Sequence, residues 1–119
     1  MKYAILCYDH EEVTFAWTKE QDEAVVAALA EVKRKLAKEG RLGPTVRLMP
    51  TTAATTIRKG KEPVVLDGPF AETKEQLLGL CIVECDSLEQ AIATAKDLAR
   101  SIDSAGSYEV RPVRAFTPG

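Results

Sequence analysis

A chain of 119 residues with a formal charge of −2 and a pI near 5.5 has room for one domain and one core, and is marginal for a large internal cavity. That charge argues against a dedicated nucleic-acid or anionic-membrane binder, and the basic groups that do gather (Lys33, Arg34, Lys35, Lys38, Arg41 and Arg47) read as the solvated face of a helix end. No stretch approaches the roughly 20 apolar residues of a membrane span, and the opening MKYAILCYDHEE lacks the apolar core and cleavage site of a signal peptide, so a cytoplasmic protein is expected.

Tyr3 to Tyr8 is a short apolar run of aromatic and branched residues closed by the charged cluster Asp9 to Glu12, the pattern of a strand. Thr18 followed by Gln21 is a capping-box pair, and Val25, Leu29, Val32 and Leu36 then recur at helical spacing until Gly40 offers a left-handed stop. Thr45 to Met49 reads as a strand ended by Pro50. Thr55 to Arg58 and Pro63 to Leu66 flank Lys59-Gly60-Lys61 as a hairpin, with Pro63 suited to a strand start or a sheet edge. A further strand is expected at Leu80 to Glu84. Ser87 with Gln90 repeats the capping signature ahead of a second amphipathic helix carrying Leu88, Ile92, Ala95, Ala99 and Ile102, and Tyr108 to Val113 supplies the last strand.

That order, with no repeat, linker or low-complexity segment, is the split arrangement of a ferredoxin-like α+β sandwich with an inserted β-hairpin in a single domain over residues 1–119. Two helices cover one face of an antiparallel sheet, and a face left to water would alternate apolar with polar residues. These strands do not alternate: Tyr3, Ile5 and Cys7 share one face while Ala4, Leu6 and Tyr8 share the other, and Leu80 and Ile82 stand against Cys81 and Val83. The economical cover for the second face is the same face of a second copy, giving a twofold homodimer with a cleft between or beside the sheets.

The opening MKYAILCY, the segment EGRLGPT at 39–45, the run TTAATTIRKGKEPVVLDGPFAETKEQLLG at 51–79 and the ending GSYEVRPV at 106–113 together resemble the YCII-related family, in particular its DGPF branch. The resemblance implies a ferredoxin-like fold that dimerises into an α+β barrel, relatives that act on small aromatic or chlorinated compounds, and a functional link to extracytoplasmic-function sigma factors. It also implies an active site built on a His and Asp pair. Aligned on Glu39-Gly40-Arg41-Leu42, this chain has Val26 near the histidine and Lys38 near the acid, so neither partner is present and that mechanism does not carry over. Leu78 stands where DGPF relatives usually have a second glycine.

His10, the only histidine, neighbours Asp9, Glu11 and Glu12 and is a candidate base; the alternative is a solvated loop after the first strand. With one histidine no metal site is expected, no cofactor is implied, and no hydroxyl has a second imidazole to activate it. Cys7, Cys81 and Cys85 read as buried free thiols, since four steps along a strand put Cys81 and Cys85 roughly 13 Å apart, beyond disulfide reach.

In DGPFAETKEQ at 67–76, Asp67 can accept backbone amides, Gly68 permits positive φ, Pro69 fixes the next φ, Phe70 is expected in the core, and Thr73 with Gln76 can cap a single helical turn. The same loop can instead present a polar rim to a cleft that suits a small apolar or aromatic ligand. The ligand-binding candidates are Tyr3, Tyr8, Asp67, Phe70, Thr73 and Lys74; the catalytic candidates are Asp67 and His10. Two functions follow: a small-molecule-binding or regulatory homodimer, or a small lyase or isomerase acting on an aromatic or lactone-like substrate.

Overall fold

Branched and aromatic side chains at the N-terminus build the middle of the sheet, not its edge. In the computed structural model, which describes residues 1–119, the elements in chain order are β1 (Lys2–Asp9), α1 (Glu11–Thr14), α2 (Lys19–Lys38), β2 (Leu42–Arg47), β3 (Thr55–Arg58), β4 (Val64–Asp67), β5 (Gln76–Glu84), α3 (Leu88–Arg100) and β6 (Ser107–Pro112). A 3-10 turn at Thr51–Ala53 leads into β3. The main sheet has the order β2-β5-β1-β6 with every neighbour antiparallel. This α+β arrangement is compatible with a ferredoxin-like fold.

Both helices start where the caps say. The Thr18 hydroxyl accepts the Gln21 amide at 3.1 Å while the Gln21 side chain accepts the Thr18 amide at 2.9 Å. The helix stops at Gly40, whose φ of +70° is the left-handed exit expected of it. At α3 the Ser87 hydroxyl accepts the Gln90 amide at 3.1 Å, but the Gln90 side chain takes the Asp86 amide at 2.7 Å, one residue earlier than a capping box requires.

Two strands differ from their sequence reading by more than a residue at an end. β2 begins at Leu42 because a bulge between Leu42 and Thr45 keeps Pro44, which has no N–H to give, out of the ladder. β5 begins at Gln76 because a second irregularity, opposite Cys7 and Tyr8, lets Leu77 resume pairing with β1.

The core lies between the sheet and the helices. Tyr3 and Ile5 of β1, Val83 of β5 and Cys85 just beyond it pack against Leu36 of α2 and against Ala91, Ala95 and Leu98 of α3. Small residues let α3 lie close on the sheet, whereas α2 buries only Leu36, near its C-terminal end. Its N-terminal half stands off from the strands. Arg41 closes the joint between α2 and β2. Its side chain is 16% exposed, and it donates from Nε to the Glu84 carbonyl at 2.9 Å and from the guanidinium to the Thr94 hydroxyl at 2.6 Å, with Glu39 at 3.5 Å. Arg41 is therefore not part of a solvated basic face; it ties three elements together.

The other sheet face is open. The pairs Ala4 with Ile82 and Leu6 with Leu80 put four apolar side chains on it, and Val46 of β2 beside them is 47% exposed. The hairpin β3–β4 forms its own two-stranded sheet and projects from the domain, with Ile57 63% and its cross-strand partner Val65 67% exposed. The radius of gyration is 15.7 Å, against about 13.5 Å for a compact domain of this length. The accessible surface of 8500 Å² likewise exceeds the roughly 6,300 Å² of a compact monomer of this mass.

Candidate functional site

The Asp67 to Phe70 corner is built differently from its sequence reading. Asp67 ends β4 opposite Thr55, and its carboxylate accepts no hydrogen bond. Backbone and threonine close the corner: the Gly68 amide donates to the Ala54 carbonyl at 2.8 Å, and the Thr56 hydroxyl donates to the Gly68 carbonyl at 2.8 Å. Gly68 has the positive φ expected, +90°. Phe70 is 78% exposed and does not enter the core, because the hairpin stands away from the main sheet and offers no core to enter. No helical turn follows. The Thr73 hydroxyl donates to the Glu75 carbonyl and the Gln76 side-chain amide donates to the Thr73 carbonyl, both at 2.6 Å, holding an irregular bend in which Lys74 is exposed. Since Asp67 makes no bond to lose, Asp67→Ala should change the unfolding free energy by no more than about 0.5 kcal/mol, read from urea melts beside wild type.

At the end of β1, His10 is the N-cap of α1 without a side-chain hydrogen bond, and it lines neither of the two main cavities. Two of its acidic neighbours, Asp9 and Glu11, are structural ties. Asp9, 4% exposed, accepts the His10 amide at 2.8 Å and the Ser104 hydroxyl at 2.5 Å. Glu11 accepts the Thr51 amide at 2.8 Å and its hydroxyl at 2.5 Å, which anchors the 3-10 turn. Tyr3 and Tyr8 do not share a face. Tyr3 is 6% exposed inside the helix-side core. The Tyr8 hydroxyl points along the open face to Glu109 at 3.4 Å, and Arg111 grips that carboxylate through two contacts of 2.8 Å, holding it below its ordinary pKa.

The large cavity lies elsewhere. Where α2 stands off, a cleft of about 540 Å³ opens between its N-terminal half and the helix-side face of the sheet. Val25 and Leu29 form one wall and Leu98 and Ile102 another, with the aromatic rings of Phe15 and Trp17 at one end. The floor carries three polar hydrogens from three adjacent strands: Cys7 of β1 pairs with Tyr108 of β6, and Cys81 of β5 pairs with Ile5. Burial pushes the Cys81 thiol up to about 11 and raises Cys7 and Tyr108 above their ordinary values. At neutral pH all three are uncharged. Lys19, Lys33, Asp22 and Arg47 are the charged residues of the lining, and Asp22 is paired to Arg47 at 3.0 Å. The arrangement can hold an apolar body and donate to it; it holds no free carboxylate or imidazole to take a proton.

Of the ligand candidates read from sequence, none lines this cleft. Tyr8 lines a smaller groove of about 330 Å³ between α3 and β6. Lys33, Tyr108, Phe15 and Trp17 line the cleft without belonging to any site motif of the sequence, although two aromatics in an irregular stretch between a strand and a capped helix are a usable signal. Val26 and Lys38, where the resemblance would put a His and an Asp, are exposed and lie outside the cleft.

The whole chain aligns with an uncharacterized protein of Rhizobium meliloti (strain 1021), 54% identical over 120 residues and covering 100% of this chain and 97% of that protein. The profile of the YCII-related domain matches residues 1–117, nearly every residue that shapes the sheet, the hairpin and the cleft, and the chain belongs to that family.

Proposed function

We propose that the protein is a small-molecule-binding homodimer of regulatory type, in which each subunit holds a small apolar or aromatic ligand in the helix-side cleft. The observation that carries this is the cleft itself: about 540 Å³, apolar walls, and neutral donors on the floor, the composition of a binding pocket. Binding is favoured over lyase or isomerase chemistry because the one acid in the lining, Asp22, is already engaged by Arg47. The dimer, closed as an α+β barrel, is supported by the uncovered apolar face of β1 and β5 and by a surface excess of roughly 2,000 Å² over a compact monomer, more than the ~800 Å² per partner of a standard interface. In this reading the Asp67 to Lys74 loop and Tyr8 meet a ligand only through the dimer. Three free thiols suit the reducing cytoplasm.

Sedimentation at micromolar concentration should give twice the 13.0 kDa chain mass, and Leu6→Arg on the open face should give the monomer. A wild-type monomer would overturn the dimer. A thermal-shift panel of small aromatic acids and lactones should contain compounds that raise the melting temperature by mass action; a panel with no such compound would remove the cleft as a ligand site.

A further inference from the structure

We infer that Lys33 is the anchor for an anionic group and that the ligand of the cleft is a small aromatic carboxylate, its ring between α2 and the sheet and its acid group at the Lys33 ammonium. The inference rests on reading the cleft as a ligand site and adds the ligand's charge. Four lining side chains carry full charge, and their pairing separates one from the others. Asp22 and Arg47 neutralise each other at 3.0 Å, and Lys19, at the exposed start of α2, has Glu23 at 3.9 Å. Lys33 lines the cleft, is half-buried, and enters no ion pair or side-chain hydrogen bond.

Its own helix cannot neutralise it. The positions three and four residues away are Leu29, Ala30, Leu36 and Ala37, and these are the ones that reach the same helix face. The strands below offer Thr45 of β2 beside Cys81 of β5, a hydroxyl and a thiol that bring no negative charge. The Lys33 charge is felt on the floor: it opposes the rise that burial imposes on the Cys81 thiol.

A cation at the edge of an apolar cavity with no counter-charge from the protein is free to take one from a ligand carboxylate. The lining asks for an apolar body, since Val25, Leu29, Ile102 and Trp17 all border the cleft. Tyr108 and Cys7, kept uncharged by burial and hydrogen-bonded to each other, cannot replace the counter-charge.

The probes are 1-naphthoate and 1-naphthamide, which share a ring and a shape and differ in charge, titrated by calorimetry into the intact protein. Wild type should bind naphthoate at least tenfold more tightly than naphthamide. Lys33→Met should abolish that preference, bringing the two affinities together, and Lys33→Arg should keep it. Val25→Trp, which fills the cleft, should weaken both probes. Equal affinity of wild type for the two, or a preference that survives in Lys33→Met, overturns the anchor and leaves the ligand cleft standing. Failure of wild type to bind either probe overturns the anchor and the ligand cleft together.

Discussion

Replacing Arg41 by alanine is expected to remove about 2–4 kcal/mol of stability. The guanidinium serves the Glu84 carbonyl at 2.9 Å and the Thr94 hydroxyl at 2.6 Å from a position that is 16% exposed. Alanine leaves a strand-end carbonyl without its partner and opens a gap where the end of α2, the end of β5 and the middle of α3 meet. The contact with Glu39 at 3.5 Å adds little, because that carboxylate is 38% exposed. Lysine should recover only part of the loss, since one ammonium cannot span the two acceptors as a planar fork does. Urea melts give the numbers directly. A loss under about 1 kcal/mol for alanine would show that the joint is held by backbone alone, through the Glu84 amide bonded to the Arg41 carbonyl at 2.8 Å.

Gly106→Ala should cost a comparable amount for a steric reason. A Cβ at this position would sit 2.3 Å from the Tyr8 carbonyl oxygen and 2.7 Å from the Asp9 carboxyl carbon. The oxygen belongs to backbone inside the sheet and cannot rotate away. The loop from α3 to β6 would have to lift, and with it Ser104, whose hydroxyl satisfies the buried Asp9 carboxylate. Overpacking and a strained buried hydrogen bond together place the expected loss at about 2–4 kcal/mol. Gly60→Ala, in the hairpin loop with nothing within 4 Å of the added carbon, is the control and should be near neutral. Equal melting midpoints for the two variants would show that the loop yields without cost.

The elements set by local chemistry were legible in the sequence. The Thr18 and Gln21 pair, the glycine at 40 and the apolar repeat on α2 each act within a turn or two of chain, so composition and spacing reveal them. The two-sided apolar strands revealed the open face for the same reason. What was not legible depended on distant chain. Phe70 reads as a core residue from its own corner, and only the placement of β3–β4 in a separate sheet exposes it. Asp67 reads as an acceptor of nearby amides, yet Ala54 takes the Gly68 amide from across the hairpin. The cleft was hidden most completely. It exists because small residues seat α3 on the sheet while α2 is buried only near its last turn, and that difference in standoff is a relation between two helices that neither sequence segment states alone.

The sheet order also sets a timetable for folding. β1 lies between strands that pair Tyr3 with Val83 on one side and with Pro112 on the other, so the first strand made is the last to be fully flanked. Pairings across so much chain carry a high loop-closure cost, which puts folding of this domain toward the slow end for its size. During synthesis the apolar N-terminal strand, Cys7 included, has no sheet to join until β5 emerges, and its second edge stays open until β6 does. Of the four strands of the main sheet, β1 therefore waits longest for both of its neighbours.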